Sequence, residues 1–96
     1  MAGKFFQLVE LNTQDEAEVR DLCFQWVEAL LEDAHVSPII TRDTDMPGWV
    51  FIFVIYDNQE AASMIHQLDV TKYFFRQLSK LSMDGPFFRN LEALED

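Results

Sequence analysis

From Trp49 to Tyr56 the chain runs eight residues, WVFIFVIY, with no charge and no alternating polar position. A strand with one wet face alternates apolar and polar residues, whereas a strand without alternation is covered on both faces. The 96 residues make a single domain, residues 1–96, with little chain left for a second layer of its own. The run therefore predicts helices on one face of a sheet and a second copy of the chain on the other.

Composition supports that need for an interface. The chain is 49% hydrophobic and 14% aromatic, with nine Phe. That is a heavy ring load for one small core, and it predicts that some rings fill an interface or line a pocket. The net charge of -10 repels phosphate backbones and anionic lipid, which excludes nucleic-acid and membrane-surface roles. Seven acids between Asp15 and Asp33 read as a solvated helix face. Glu92, Glu95 and Asp96 read as a frayed tail. The lone Cys23 has no internal disulfide partner, which fits a reducing cytoplasm. The start, from Met1 to Phe6, does not read as a signal peptide, and no apolar run approaches the roughly 20 residues that span a bilayer.

Phe5 to Leu11 reads as a first strand, with Phe5, Gln7, Val9 and Leu11 on one face. Thr13 and Glu16 have capping-box spacing, with the Thr13 hydroxyl set to accept from the Glu16 amide. Val19, Leu22, Cys23, Trp26, Val27, Leu30, Leu31 and Ala34 then form a helical stripe. Ser37-Pro38 closes the connection, and Ile39 to Arg42 begins a second strand. Met46-Pro47-Gly48 is turn chemistry that predicts a hairpin into Trp49–Tyr56.

Asp57-Asn58-Gln59-Glu60 signals a second helix, with Ala61, Ile65 and Leu68 on its stripe and Met64 beside them. The phase shifts between Leu68 and Thr71, which predicts a break. Val70, Phe74, Leu78 and Leu81 carry the stripe onward, with Tyr73 and Gln77 alongside. Asp84-Gly85-Pro86 is expected to stop that helix, and Phe87 to Leu94 to form a fourth strand. The order is βαββαβ, a ferredoxin-like α+β fold with a four-stranded antiparallel sheet and its helices on one face.

The broken second helix, the segment DGPFFRNL from Asp84 to Leu91, the Trp49–Tyr56 run and the Asp57 to Glu60 cap resemble the dimeric α/β-barrel superfamily. Within it the chain is most similar to the antibiotic-biosynthesis-monooxygenase-like branch. The resemblance implies two protomers closing a barrel sheet to sheet, with a cavity between each sheet and its own helices. It implies a monooxygenase acting on an aromatic or quinol-like molecule without a cofactor. The alternative is a non-catalytic ligand-binding or accessory dimer. The haem-degrading branch carries Asn, Trp and His where this chain has Gln7, Tyr56 and Phe75, and without that His no axial iron ligand is evident.

Five residues are candidates for the site. Tyr56 and His66 are the candidate proton-handling pair, since a neutral imidazole is a base near working pH. The plain alternative for His66 is a surface histidine beside Asp69. Gln7, set among apolar residues, needs a partner once buried, and Tyr56 or a ligand can supply it. Trp26 and Tyr73 are candidate aromatic ligand contacts, against simple core packing for Trp26. Asp43 and Asp45 flank Thr44 in a turn that favours Asp anyway, too thin a set for a metal site. Cys23 reads as a small core residue, and His35 as solvated. No phosphate loop, Ser-His-Asp set or Cys-x-x-Cys is present.

Overall fold

The computed structural model describes residues 4–30 and 35–94. Four strands and three helices follow one another as β1 (Phe5–Thr13), α1 (Glu16–Ala29), β2 (Ser37–Arg42), β3 (Trp49–Tyr56), α2 (Gln59–His66), α3 (Asp69–Leu81) and β4 (Ser82–Glu92). The sheet order is β2-β3-β1-β4, and β1 pairs antiparallel with both β3 and β4. This is the βαββαβ ferredoxin-like arrangement, with the second helix broken into α2 and α3.

The apolar run forms β3, buried on one of its two faces. Val50, Ile52, Val54 and Tyr56 are buried against the helices, while Trp49, Phe51, Phe53 and Ile55 are half-buried on the opposite face. β1 alternates in the same phase, so Phe5, Gln7, Val9 and Leu11 share the helix side. Phe5, Val9 and Leu11 meet Val19, Leu22, Cys23 and Trp26 of α1 and Phe74 and Leu78 of α3 in one core. Among the described residues nothing covers the other face, where Ile39, Phe87 and Leu91 stand exposed.

The structure differs from the sequence expectations at five local points. Thr13 does not cap α1: it is the last residue of β1, its N–H bonds the Gly48 carbonyl, and its hydroxyl donates to the Leu81 carbonyl while accepting from the Asp15 amide. The cap is Asp15, whose carboxylate accepts from the Glu18 amide. Strand pairing holds the Thr13 backbone, so the cap moves on to the next good acceptor. α1 ends at Ala29, and Leu31 and Ala34 lie outside the described residues, as do Glu95 and Asp96. β2 begins at Ser37 with Pro38 inside it, which an edge strand tolerates because no neighbour needs the missing N–H.

The fourth point is β4. The helix ends at Leu81, and the strand runs straight through Asp84-Gly85-Pro86. The pairing of β1 with β4 shifts register between Glu10 and Asn12, opposite this segment. Gly85 sits at φ +93°, and a Cβ there would lie 2.7 Å from the Glu10 carbonyl oxygen. Glycine therefore lets a bulge absorb what looks in sequence like a stop signal. On α2, Ala62 and Ile65 are buried while Met64 is exposed and Ala61 half-buried, and Leu68, the N-cap of α3, is exposed, so the inner stripe is narrower than its spacing suggests.

Among the described residues no helix is long and apolar enough to cross a membrane. Cys23 is buried, and burial pushes its thiol up to about 12. A thiol held protonated is a poor nucleophile, so Cys23 acts here as core filler.

Candidate functional site

Three elements bring polar groups together on the helix side of the sheet. Tyr56 ends β3 and points inward, fully buried, with its ring tilted against Phe5. Gln7 lies on the same face of β1, two residues on from Phe5, which pairs with Tyr56. His66 is the last residue of α2, where the chain breaks before α3. The break at Leu68 frees α2 from the line of α3 and sets the His66 ring over the sheet.

The contacts form a chain. The Tyr56 hydroxyl lies 3.1 Å from His66 Nε2, and Gln7 Oε1 lies 3.2 Å from the same nitrogen. Gln7 Nε2 donates to Asn90 Oδ1 at 3.3 Å. Asn90 faces Gln7 across the β1–β4 ladder and is exposed, so the chain runs from a sealed phenol to the surface. Among the described residues no buried side-chain polar atom lacks a hydrogen-bond partner.

Aromatic rings wall this chain. His66 meets Tyr56 edge-on, with ring centroids 5.5 Å apart. Phe75 packs on His66 at 5.9 Å and on Phe88 of β4 at 5.1 Å. Because β4 is an edge strand, the helices leave its inner side uncovered, and Phe88 is 44% exposed. The Phe75–Phe88 pair and Asn90 thus form a rim where the polar chain reaches solvent.

Burial sets the protonation of the two key groups. It lowers the pKa of His66 from the ordinary imidazole value, so the ring is neutral at pH 7. The end of α2 favours a cation there, but desolvation outweighs it. Burial raises the Tyr56 pKa, so the phenol keeps its proton. The arrangement therefore offers a neutral base beside a neutral hydroxyl, close to an aromatic rim.

Tyr56, His66 and Gln7 are brought together. Trp26 lies deeper, stacked on Phe74 with centroids 4.6 Å apart and planes 4° apart, and its indole N–H donates to Thr71 Oγ1 at 2.9 Å. Among the described residues its aromatic contacts reach His66 through Phe75. Tyr73 stands apart: it is 55% exposed on α3, and among the described residues no aromatic contact joins it to the cluster. Phe75 supplies the wall expected of Tyr73, because the buried face of α3 is set by Thr71, Phe74 and Leu78, and Phe75 rather than Tyr73 flanks it on the His66 side.

Asn90, Phe88 and Thr71 were not legible as site residues. A signal for Asn90 exists in the alternation Phe88, Asn90, Glu92, but it needs the β1–β4 register, which the bulge at Gly85 displaces. Asp43 accepts from the Asp45 and Met46 amides, so its carboxylate closes the turn. His35 is exposed.

A separate open cleft of about 550 Å³ lies between α1 and β2, lined by Glu16, Arg20, Phe24, Ile40 and Arg42 among others. It includes none of the Tyr56, His66, Gln7 group. Arg42 spans its wall in a two-pronged bond to Glu16, which holds the Glu16 carboxyl below its usual range.

No protein-family model matches the sequence, and no curated protein matches it. Solved structures do. SnoaB, a cofactor-independent oxygenase from Streptomyces nogalater solved as a mutant, matches with TM-score 0.82 at 10% identity, over 99% of this chain and 97% of that one. A candidate antibiotic biosynthesis monooxygenase from Caulobacter crescentus matches with TM-score 0.80 at 16% identity, covering 98% and 92%. Another from Deinococcus radiodurans gives 0.77 at 19% identity, covering 96% and 94%. The chain has the fold of the antibiotic-biosynthesis-monooxygenase-like proteins. At these identities the likeness fixes the fold, and the chemistry must be read from the site.

Proposed function

We propose that the chain works as a homodimer, joined through the open sheet face, and oxygenates a phenol- or quinol-like aromatic molecule without a bound cofactor. The observation that carries this reading is the neutral His66 bonded to the buried Tyr56 hydroxyl beside the Phe75–Phe88 rim. The substrate ring packs at that rim with its oxygen toward the half-buried His66, and the buried Tyr56 hydroxyl holds the imidazole. His66 removes the phenolic proton. The phenolate gives an electron to molecular oxygen, and a C–O bond forms to yield a ring hydroperoxide. Loss of water, with the ring C–H proton, leaves a carbonyl. One oxygen atom stays on the product, and the other leaves with the two hydrogens as water.

The fold of SnoaB, itself a cofactor-independent oxygenase, accords with this chemistry. The uncovered face, with Phe51 and Phe53 half-buried and Ile39 and Phe87 exposed, supplies the apolar surface for the dimer. A reducing cytoplasm suits the buried thiol of Cys23.

The test is oxygen uptake with a panel of phenols and quinols. Turnover should fall by ~10²–10⁴-fold in His66→Ala, the range for loss of a positioned base, and also fall in Tyr56→Phe. Unchanged uptake in both variants would dismiss the assignment. One observation favours a second reading, a non-catalytic binding dimer: the Trp26–Phe74 stack fills the interior between sheet and helices. Saturable binding of the same phenols with no oxygen consumed would select it.

A further inference from the structure

His66 Nε2 faces two oxygens at once, Tyr56 Oη at 3.1 Å and Gln7 Oε1 at 3.2 Å. A neutral imidazole has one N–H and one bare nitrogen, and the partner of each decides which is which. Tyr56 leaves the choice open, because a hydroxyl can donate or accept. Gln7 Oε1 does not, because a carbonyl oxygen only accepts. In the structure the Gln7 N–H donates to Asn90 Oδ1, which turns Oε1 toward the imidazole. Were the amide reversed, Gln7 would compete with Tyr56 for the single lone pair of Nε2.

We propose that Asn90 is a positioning residue that, through Gln7, holds neutral His66 with its proton on Nε2. Two consequences follow for the site. The basic lone pair of His66 is on Nδ1, so Nδ1 is the atom that takes a proton. Tyr56 Oη shares the Nε2 proton as an acceptor. The direction of the whole chain is thus set from its exposed end, 83 residues from Gln7 in sequence.

This inference rests on the proposed function only for the identity of the base. Its readout is independent of turnover. Nitrogen NMR of ¹⁵N-histidine-labelled protein, in a His35→Gln background so that His66 is the remaining histidine, distinguishes a protonated pyrrole-type nitrogen from a bare pyridine-type one. The expected spectrum, at a pH where His66 is neutral, has Nε2 protonated and Nδ1 bare. Asn90→Asp presents only acceptors to Gln7 and should keep that state. Asn90→Lys presents only donors, so Gln7 should turn its Oε1 outward and its N–H inward, and the proton should move to Nδ1.

Position 90 is exposed, so neither substitution disturbs the core, and matched unfolding midpoints verify it. A wild-type protein with Nδ1 protonated would overturn the proposal. So would the same tautomer in wild type, Asn90→Asp and Asn90→Lys. The expected tautomers in a protein that consumes no oxygen with any phenol would uphold the hydrogen-bond chain while removing the oxygenase reading.

Discussion

The layer between sheet and helices has a dry half and a wet half, built from the same strands. In the dry half α1 and α3 close over β1 and β3. The largest polar side chain there, Trp26, is satisfied by a single bond to Thr71, and both are sealed. In the wet half α2 ends early, β4 is uncovered, and the polar groups form a chain that ends at exposed Asn90. A closed pair is what stability requires of a buried polar group. A chain leading to the surface is more than stability requires, and a fold that only needed filling could have placed apolar residues at positions 7 and 66. The dry half is the scaffold, and the wet half holds the proposed site.

That contrast can be broken by substitution. Trp26→Ala should have the largest effect on stability, ~3–5 kcal/mol for loss of a buried Trp. It also leaves the Thr71 hydroxyl without its partner. Denaturant unfolding measures it, and a loss no larger than that of Tyr56→Phe would mean the dry half is not the scaffold. Tyr56→Phe removes one hydroxyl while keeping the ring, so it should cost only about 1 kcal/mol while oxygen uptake falls. A variant that loses stability in step with activity would erase the distinction between the halves.

The smallest effect is a pH slope. Burial lowers the His66 pKa in the folded protein, while the unfolded chain keeps the ordinary histidine value near ~6.5. Below that value the unfolded state binds more protons than the folded one, so stability falls as pH drops through the window between the two values. Above it the contribution is fully present. His66→Gln should flatten this part of the stability profile, and an unchanged profile would place the imidazole in water rather than in the chain.

Much of the fold was legible because hydrophobic period is a local property. The uncharged Trp49–Tyr56 run gave a strand buried on its Tyr56 side, and the phase slip near Leu68 located the break between α2 and α3. Capping was read less well where two elements compete for one residue, as at Thr13, whose backbone belongs to the sheet. The stop signal at Gly85-Pro86 misled because a bulge lets an edge strand pass through residues that would end a helix.

The site divides in the same way. Gln7, Tyr56 and His66 stood out in sequence because a polar side chain on or beside an apolar stripe must find a partner. Their partners were not legible. Tyr73 and Phe75 are two residues apart on one helix, and only the rotation of α3 against the sheet turns Phe75 to His66 and Tyr73 to solvent. Asn90 meets Gln7 only through the β1–β4 register. The sequence by itself determined which strands have a buried face, where the helices break and which polar residues are set against apolar ones, since each follows from a few neighbouring residues. Tertiary structure alone decided which polar atoms meet and in what order, because a hydrogen bond depends on a few tenths of an ångström between residues far apart in the chain.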